Sequence, residues 1–113
     1  MGAPEDFGRT VDVYNDLFGN RWNIVVINEL VSHPKRFNEI KKSLEPVSQT
    51  VLVRHLRQLE EYGIIKREVM SENPLSVRYC ITEAGIELYD AMMSTFTWII
   101  RHQIMSSEES DGL

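Results

Sequence analysis

The sequence predicts an α+β domain, mostly helical with one small β-hairpin. Three observations lead there. Apolar residues recur at helical spacing in five stretches, most of them bounded by capping residues and by Gly or Pro; the period becomes extended only after Gly63; and a four-residue connection, Glu45-Pro46-Val47-Ser48, joins two of the helical stretches. A chain of 113 residues, 42% of them hydrophobic, can furnish one core without metals or disulfides. The expected organisation is a polar tail over 1–9, a single domain over 10–105 and a second polar tail over 106–113.

The first helix is expected over 11–18, capped by Thr10, with Asp12 in its first turn and Gly19 as its stop. Asn20 is placed to cap a second helix over 21–32, whose apolar residues Trp22, Val25, Val26, Ile27 and Leu30 cover most of its circumference and require burial on several sides. His33-Pro34 ends it, because the residue before proline is pushed out of the α region. Lys35, Arg36 and Phe37 read as extended, followed by a short helix over 38–44 with Phe37, Ile40 and Leu44 on one face. Ser48 caps a fourth helix over 49–62, in which Leu52, Leu56 and Leu59 form one stripe, and Gly63 stops it. Strands are expected over 64–69 and 77–81, with Ser71-Glu72-Asn73-Pro74 as a turn too long for a two-residue loop. Thr82-Glu83 opens a last helix reaching about residue 105.

Composition excludes several classes. The longest uninterrupted apolar run, Ile24 to Ile27, cannot span a bilayer, and no signal-peptide pattern opens the chain, so a soluble cytoplasmic protein without membrane contact is expected. Cys80 is the only cysteine, which rules out an intrachain disulfide and a cysteine zinc cluster. In the second strand, Cys80 reads as a buried structural residue. His33, His55 and His102 lie on separate elements with no ligand spacing, and no phosphate loop or nucleophile elbow is present. Neither enzyme activity, nor a metal, nor a cofactor is expected. His55, beside the leucine stripe, reads as a partly packed or solvent-facing helix residue.

The net charge of −5 is unevenly distributed: residues 1–32 carry −3, residues 33–78 carry nine Lys/Arg against six acids for +3, and residues 79–113 carry −5. Screening confines distant charges to about 10 Å, so the basic middle can meet phosphates although the whole chain is acidic. Two helices joined by four residues have the proportions of a helix-turn-helix, in which the second helix enters the DNA major groove by its N-terminal end. Here that end presents Ser48, Gln49, Thr50, Val53 and Arg54. Gln pairs with adenine and Arg with guanine through two atoms each, while Thr and Val methyls meet the thymine methyl. His33, Lys35, Arg36, Lys41, Lys42 and Arg57 would surround this helix and meet phosphates. The hairpin would act as a wing, bringing Arg67, Asn73, Ser76 and Arg78 to a flanking backbone.

Five stretches resemble the HxlR family of winged helix-turn-helix regulators, related in fold to the MarR family. They are Gly19-Asn20-Arg21-Trp22; Pro34 through Ile40; Val47-Ser48-Gln49 with Leu52; Leu56 through Ile65; and Val77 through Gly85. The resemblance covers about residues 14–100. It implies a transcriptional regulator acting as a homodimer on a palindromic double-stranded operator, with the first and last helices at the subunit interface. Tyr14, Leu17, Phe18, Phe96, Trp98, Ile99, Ile100 and Ile104 suit that role, because these helices carry more apolar surface than one small core uses. A cavity between the first, second and last helices would suit an unidentified small apolar effector. Two departures stand out. The redox-sensing Cys that many members carry near the first helix is missing, and in the wing Ser76 and Arg78 replace a usual base and a frequent acid. The competing expectation is a winged helix that binds protein and never DNA; it predicts acids on the exposed face of helix 49–62, where Arg54 and Arg57 stand instead.

Overall fold

Helix starts in this chain are set by side chains that accept otherwise orphaned amide protons. The computed structural model describes residues 6–102. In it Asn20 Oδ1 accepts from the Trp22 amide at 2.8 Å and Ser48 Oγ from that of Val51 at 3.2 Å, while Thr82 Oγ1 accepts from Gly85 at 3.1 Å. These caps open α2 (Arg21–Leu30), α4 (Gln49–Glu61) and α5 (Glu83–Arg101). The short α3 (Phe37–Ser43) begins where Glu39 Oε1 accepts from the Arg36 amide at 2.9 Å.

The first helix departs from expectation: α1 (Phe7–Phe18) starts four residues early. Asp6 is its cap, accepting from the Arg9 amide, and the Thr10 hydroxyl donates back to the Asp6 carbonyl from inside the helix. Residues 7–9 are therefore helical rather than tail, and the expected tail over 106–113 lies outside the described residues.

β1 (Ile65–Glu72) and β2 (Leu75–Ile81) pair antiparallel, and pairing continues to Glu72↔Leu75. The register steps from Val69↔Val77 to Ser71↔Ser76, so Met70 is an extra, bulged residue. Beyond the bulge both strands run on to a two-residue tip, Asn73-Pro74, where a longer turn was expected. The polar composition of residues 71–76 hid the pairing. Lys35 and Tyr79 exchange backbone hydrogen bonds of 3.0 and 2.8 Å, so the chain at Lys35 docks on the open edge of β2, while Phe37, expected to be extended, is already the first residue of α3.

α2 is the central element, contacting α1, α3, α4, α5 and β2. Its Val26, Ile27 and Leu30 are buried together with Ile40, Val47, Leu52, Leu56, Leu59, Ile64, Ile65 and Met92. Each such side chain contributes roughly 1.5–3 kcal/mol relative to exposure. Gly63 takes φ +73° between α4 and β1, a conformation that glycine adopts without strain. Thr82 then ties the start of α5 to that corner, its amide and hydroxyl both reaching the Ile64 carbonyl at 3.0 Å.

Candidate nucleic-acid interface

The apolar stripe of α4 turns Leu52, His55, Leu56 and Leu59 inward. Helical geometry then leaves Gln49, Thr50, Val53, Arg54 and Arg57 together on the outer face. All are exposed except Val53, which is half-buried. They line one side of an open groove of about 890 Å³, whose opposite wall is the α1–α2 corner: Asn15, Asp16, Gly19 and Asn20. The groove lies beside α4 with a lining of mixed polarity and no residue of α5; it is not the apolar chamber expected between the first, second and last helices. Ser48 stays exposed at the tip of α4 while its oxygen serves as the cap.

Of the expected phosphate contacts, Arg36, Lys42, Arg57 and, on the wing, Arg67 are exposed, with Lys41 half-buried. Lys41 and Lys42 occupy the last turn of α3, where they also complement the helix dipole. Three expected phosphate contacts are placed differently. The Lys35 side chain is only 16% exposed and its ammonium is paired with Glu29, whose carboxyl is held below its ordinary value by Lys35 and Ser43 against the opposing effect of burial. Arg78 Nε donates to Glu68 Oε1 at 2.8 Å, directly across the hairpin. Ser76 Oγ is enclosed, with no hydrogen-bond partner. Lys35 and Arg78 are thus engaged within the chain, and the Ser76 hydroxyl is out of reach of a phosphate. Asn73 is exposed at the hairpin tip, among the apolar Val69, Met70 and Leu75.

The hairpin pleat puts Glu68, Arg78 and Cys80 on one face. The Cys80 thiol donates to Glu68 Oε1 at 2.8 Å; this bond and that from Arg78 hold the Glu68 carboxyl down at about 2. Burial, then Glu68, pushes the thiol up. Cys80 is buried, as its residue type implied.

Sequence reasoning missed a polar cluster beneath α4. Asn23 is fully buried, and its amide donates to the Asp16 carbonyl and to Gln58 Oε1, both at 2.8 Å. Its Oδ1 lies 2.8 Å from His55 Nδ1. His55 is 5% exposed, so it is neither solvent-facing nor loosely packed, and burial, then Arg54, holds its imidazole below the ordinary value. Tyr62 Oη donates to Asp16 Oδ2 at 2.7 Å. The available signal was an Asn amid the apolar run of α2, one helical turn before Ile27.

Of the expected interface residues, Leu17 belongs to the chain's own core at 8% exposure, because α1 turns it toward α2. Phe18 is half-buried against that core, its ring centroid 4.9 Å from that of Tyr14. Tyr14, Trp98 and Ile100 are 58%, 48% and 65% exposed, Phe96 is exposed and Ile99 half-buried. Ile104 lies outside the described residues. Among the described residues no cluster of three or more His, Cys, Asp or Glu is arranged to hold a metal, and no helix is long and apolar enough to cross a membrane.

Comparison with known proteins bears on this arrangement. A family model described as HxlR-like helix-turn-helix matches residues 17–107. The HTH-type transcriptional regulator YodB of Bacillus subtilis is 38% identical over 82 residues, 73% of each chain. An HTH-type transcriptional regulator of Methanothermobacter thermautotrophicus is 36% identical over 111 residues, 96% of this chain and 85% of its own. Among solved structures, a MarR-family transcriptional regulator of Enterococcus faecalis superimposes with a TM-score of 0.77 at 26% identity over 97% of both chains. The reduced form of YodB does so with 0.72 at 33% identity, over 88% of this chain and 92% of its own. With its winged helix-turn-helix architecture and these relatives, the chain belongs to the HxlR family of transcriptional regulators, a family of DNA-binding proteins and not of enzymes.

Proposed function

We propose that this chain is a sequence-specific regulator that binds duplex DNA as a homodimer, with α4 in the major groove and the β1–β2 wing along the flanking backbone. The observation that carries the proposal is the outer face of α4: Gln49, Thr50, Arg54 and Arg57 are exposed together, without an acid before Glu60. Gln49 and Arg54 would pair with base edges; Ser48, Thr50 and Val53 would complete the reading surface. Arg36, Lys41, Lys42, Arg57 and Arg67 would neutralise phosphates, and Asn73 would meet the backbone at the wing tip.

The dimer would be made by α1 and α5, through Tyr14, Phe18, Phe96, Trp98, Ile99 and Ile100. Their exposure supports this, since an isolated protomer would present a broad apolar surface to water. Two-fold symmetry would match a palindromic operator, with recognition helices separated by one DNA turn, about 34 Å.

The test is fluorescence anisotropy on a duplex from the promoter region of its own gene, at two salt concentrations, with Arg54→Ala alongside. Binding should weaken steeply with salt, and the variant should lose about 1–3 kcal/mol and its preference at one base position. One observation favours a second reading: the wing tip exposes Val69, Met70 and Leu75, a composition suited to protein contact. Failure to bind any duplex at low salt would select that reading.

A further inference from the structure

We propose that Asn23 is the positioning residue of the recognition helix, setting the angle at which α4 is presented and coupling that angle to α1. This rests on the DNA-binding reading above.

The hydrogen-bond inventory leaves one arrangement. The Asn23 amide nitrogen faces two acceptors, the Asp16 carbonyl and Gln58 Oε1. Reversing the amide would point an oxygen at a main-chain oxygen that cannot donate. Asn23 Oδ1 is therefore the acceptor, and His55 donates from Nδ1. In a neutral ring this makes Nε2 the bare nitrogen, and it is buried without a partner. One fully enclosed side chain thus joins the end of α1, the first turn of α2 and two successive turns of α4. A buried network with every donor placed resists sliding, because any shift of α4 leaves several groups unpaired in a low-dielectric interior. Apolar contacts such as those of Leu52 and Leu56 lack that directionality.

Asp16 occupies both ends of the linkage. Its carbonyl is held by Asn23 under the middle of α4, and its carboxylate is held by Tyr62 at the C-terminal cap. Tyr14, among the most exposed large apolar residues of α1, stands two positions away. A displacement of α1 at the subunit contact therefore has a rigid route to the face that carries Gln49, Thr50 and Arg54, none of which touches α1 by a hydrogen bond of its own.

The role differs from stability in what it predicts. Phosphate contacts tolerate a change in helix angle, whereas a two-atom base contact does not, so loss of the linkage should lower discrimination and spare non-specific binding. Asn23→Leu keeps the volume and removes all three bonds; Gln58→Leu removes one and lies at the half-buried edge, where folding is less at risk. Both are compared with the unaltered protein by anisotropy on the promoter duplex and on a random duplex of equal length, with circular dichroism confirming fold. The ratio of the two affinities should fall about tenfold in Asn23→Leu, the loss of one two-atom base contact, and by a smaller factor in Gln58→Leu, with random-duplex affinity and salt slope unchanged. If Asn23→Leu does not fold, Gln58→Leu decides. An unchanged ratio in a folded variant, including a parallel loss on both duplexes, overturns the proposal. If the unaltered protein itself binds neither duplex, it is the DNA-binding reading that fails.

Discussion

Replacing Gly85 by Ala should destabilise the protein, although glycine-to-alanine changes inside helices ordinarily stabilise. Gly85 lies in the first turn of α5, where the helix start is pinned to the Gly63–Ile64 corner by Thr82. A methyl group there would stand 2.2 Å from the Ile64 carbonyl oxygen and 2.6 Å from Ile81 Cγ1. The oxygen is main chain and already accepts from Thr82, so it cannot swing aside; α5 must lift or β1 must bend. Overpacking costs about 1–3 kcal/mol, and a clash with fixed main chain falls in the upper part of that range, about 2–3 kcal/mol; the alanine helix preference offsets about 1 of that, so a net loss of about 1–2 kcal/mol is expected. For a domain of this size that is a fall in Tm of about 4–16 °C. Gly8 provides an internal control: it lies in α1 with nothing within 4 Å of an added methyl, and Gly8→Ala should stabilise by about 0.5–1 kcal/mol. Thermal and urea unfolding at one fixed protein concentration measure both, since a dimer's Tm depends on concentration. A neutral or stabilising Gly85→Ala would refute the close approach of α5 to the Ile64 carbonyl.

Removing Lys42, an exposed cation in the last turn of α3, should reduce the slope of log affinity against log salt by about 1, whereas Lys35→Met should leave it unchanged because Lys35 is already neutralised by Glu29; equal effects would mean that Lys35 leaves Glu29 for a phosphate. Ile100→Asp should shift sedimentation toward monomer and weaken promoter binding without loss of helical signal, given the 65% exposure of Ile100; an unchanged sedimentation coefficient would remove α5 from the interface. Stability should fall in two pH windows. His55 is held below 6.5, so the unfolded chain binds a proton that the folded one refuses, and stability drops as pH falls below 6.5; His55→Gln should flatten this arm of a urea-midpoint profile. Glu68 is held at about 2, so its contribution, present above 4.5, is lost between 4.5 and 2, and its carboxyl resonance should titrate in that lower range rather than near 4.5.

Much of the fold was legible in the chain because its punctuation is local. Asn20, Ser48 and Thr82 cap the helices at which they were expected, and Gly63 takes the left-handed turn that its position after Tyr62 required. The α4 stripe was equally plain, since Leu52, Leu56 and Leu59 repeat at helical spacing. By the same logic the outer face of α4 could be named residue by residue. The start of α1 was misplaced because Thr10 and Asp6 are both good caps in isolation; in the structure Asp6 accepts the Arg9 amide and Thr10 bonds back to Asp6 from inside the helix. The hairpin was underestimated for a related reason: a bulge at Met70 breaks the two-residue alternation that reveals a strand, leaving residues 71–76 to look like turn.

The composition of this chain, its caps and its periodicities therefore determined the class, the element order and which face of α4 looks outward, all of them properties of residues close in sequence. Only the tertiary structure decided which charges are free and which are spent. Lys35 meets Glu29 across the α2–α3 connection, Arg78 meets Glu68 across the hairpin, and Asn23 gathers Asp16, Gln58 and His55 from two other helices. A charge or an amide carries the same formula wherever it stands in a sequence, and its availability depends on a partner within about 3 Å. Such partners lie up to 46 residues away in this chain, as Tyr62 and Asp16 do, a separation that no local pattern records.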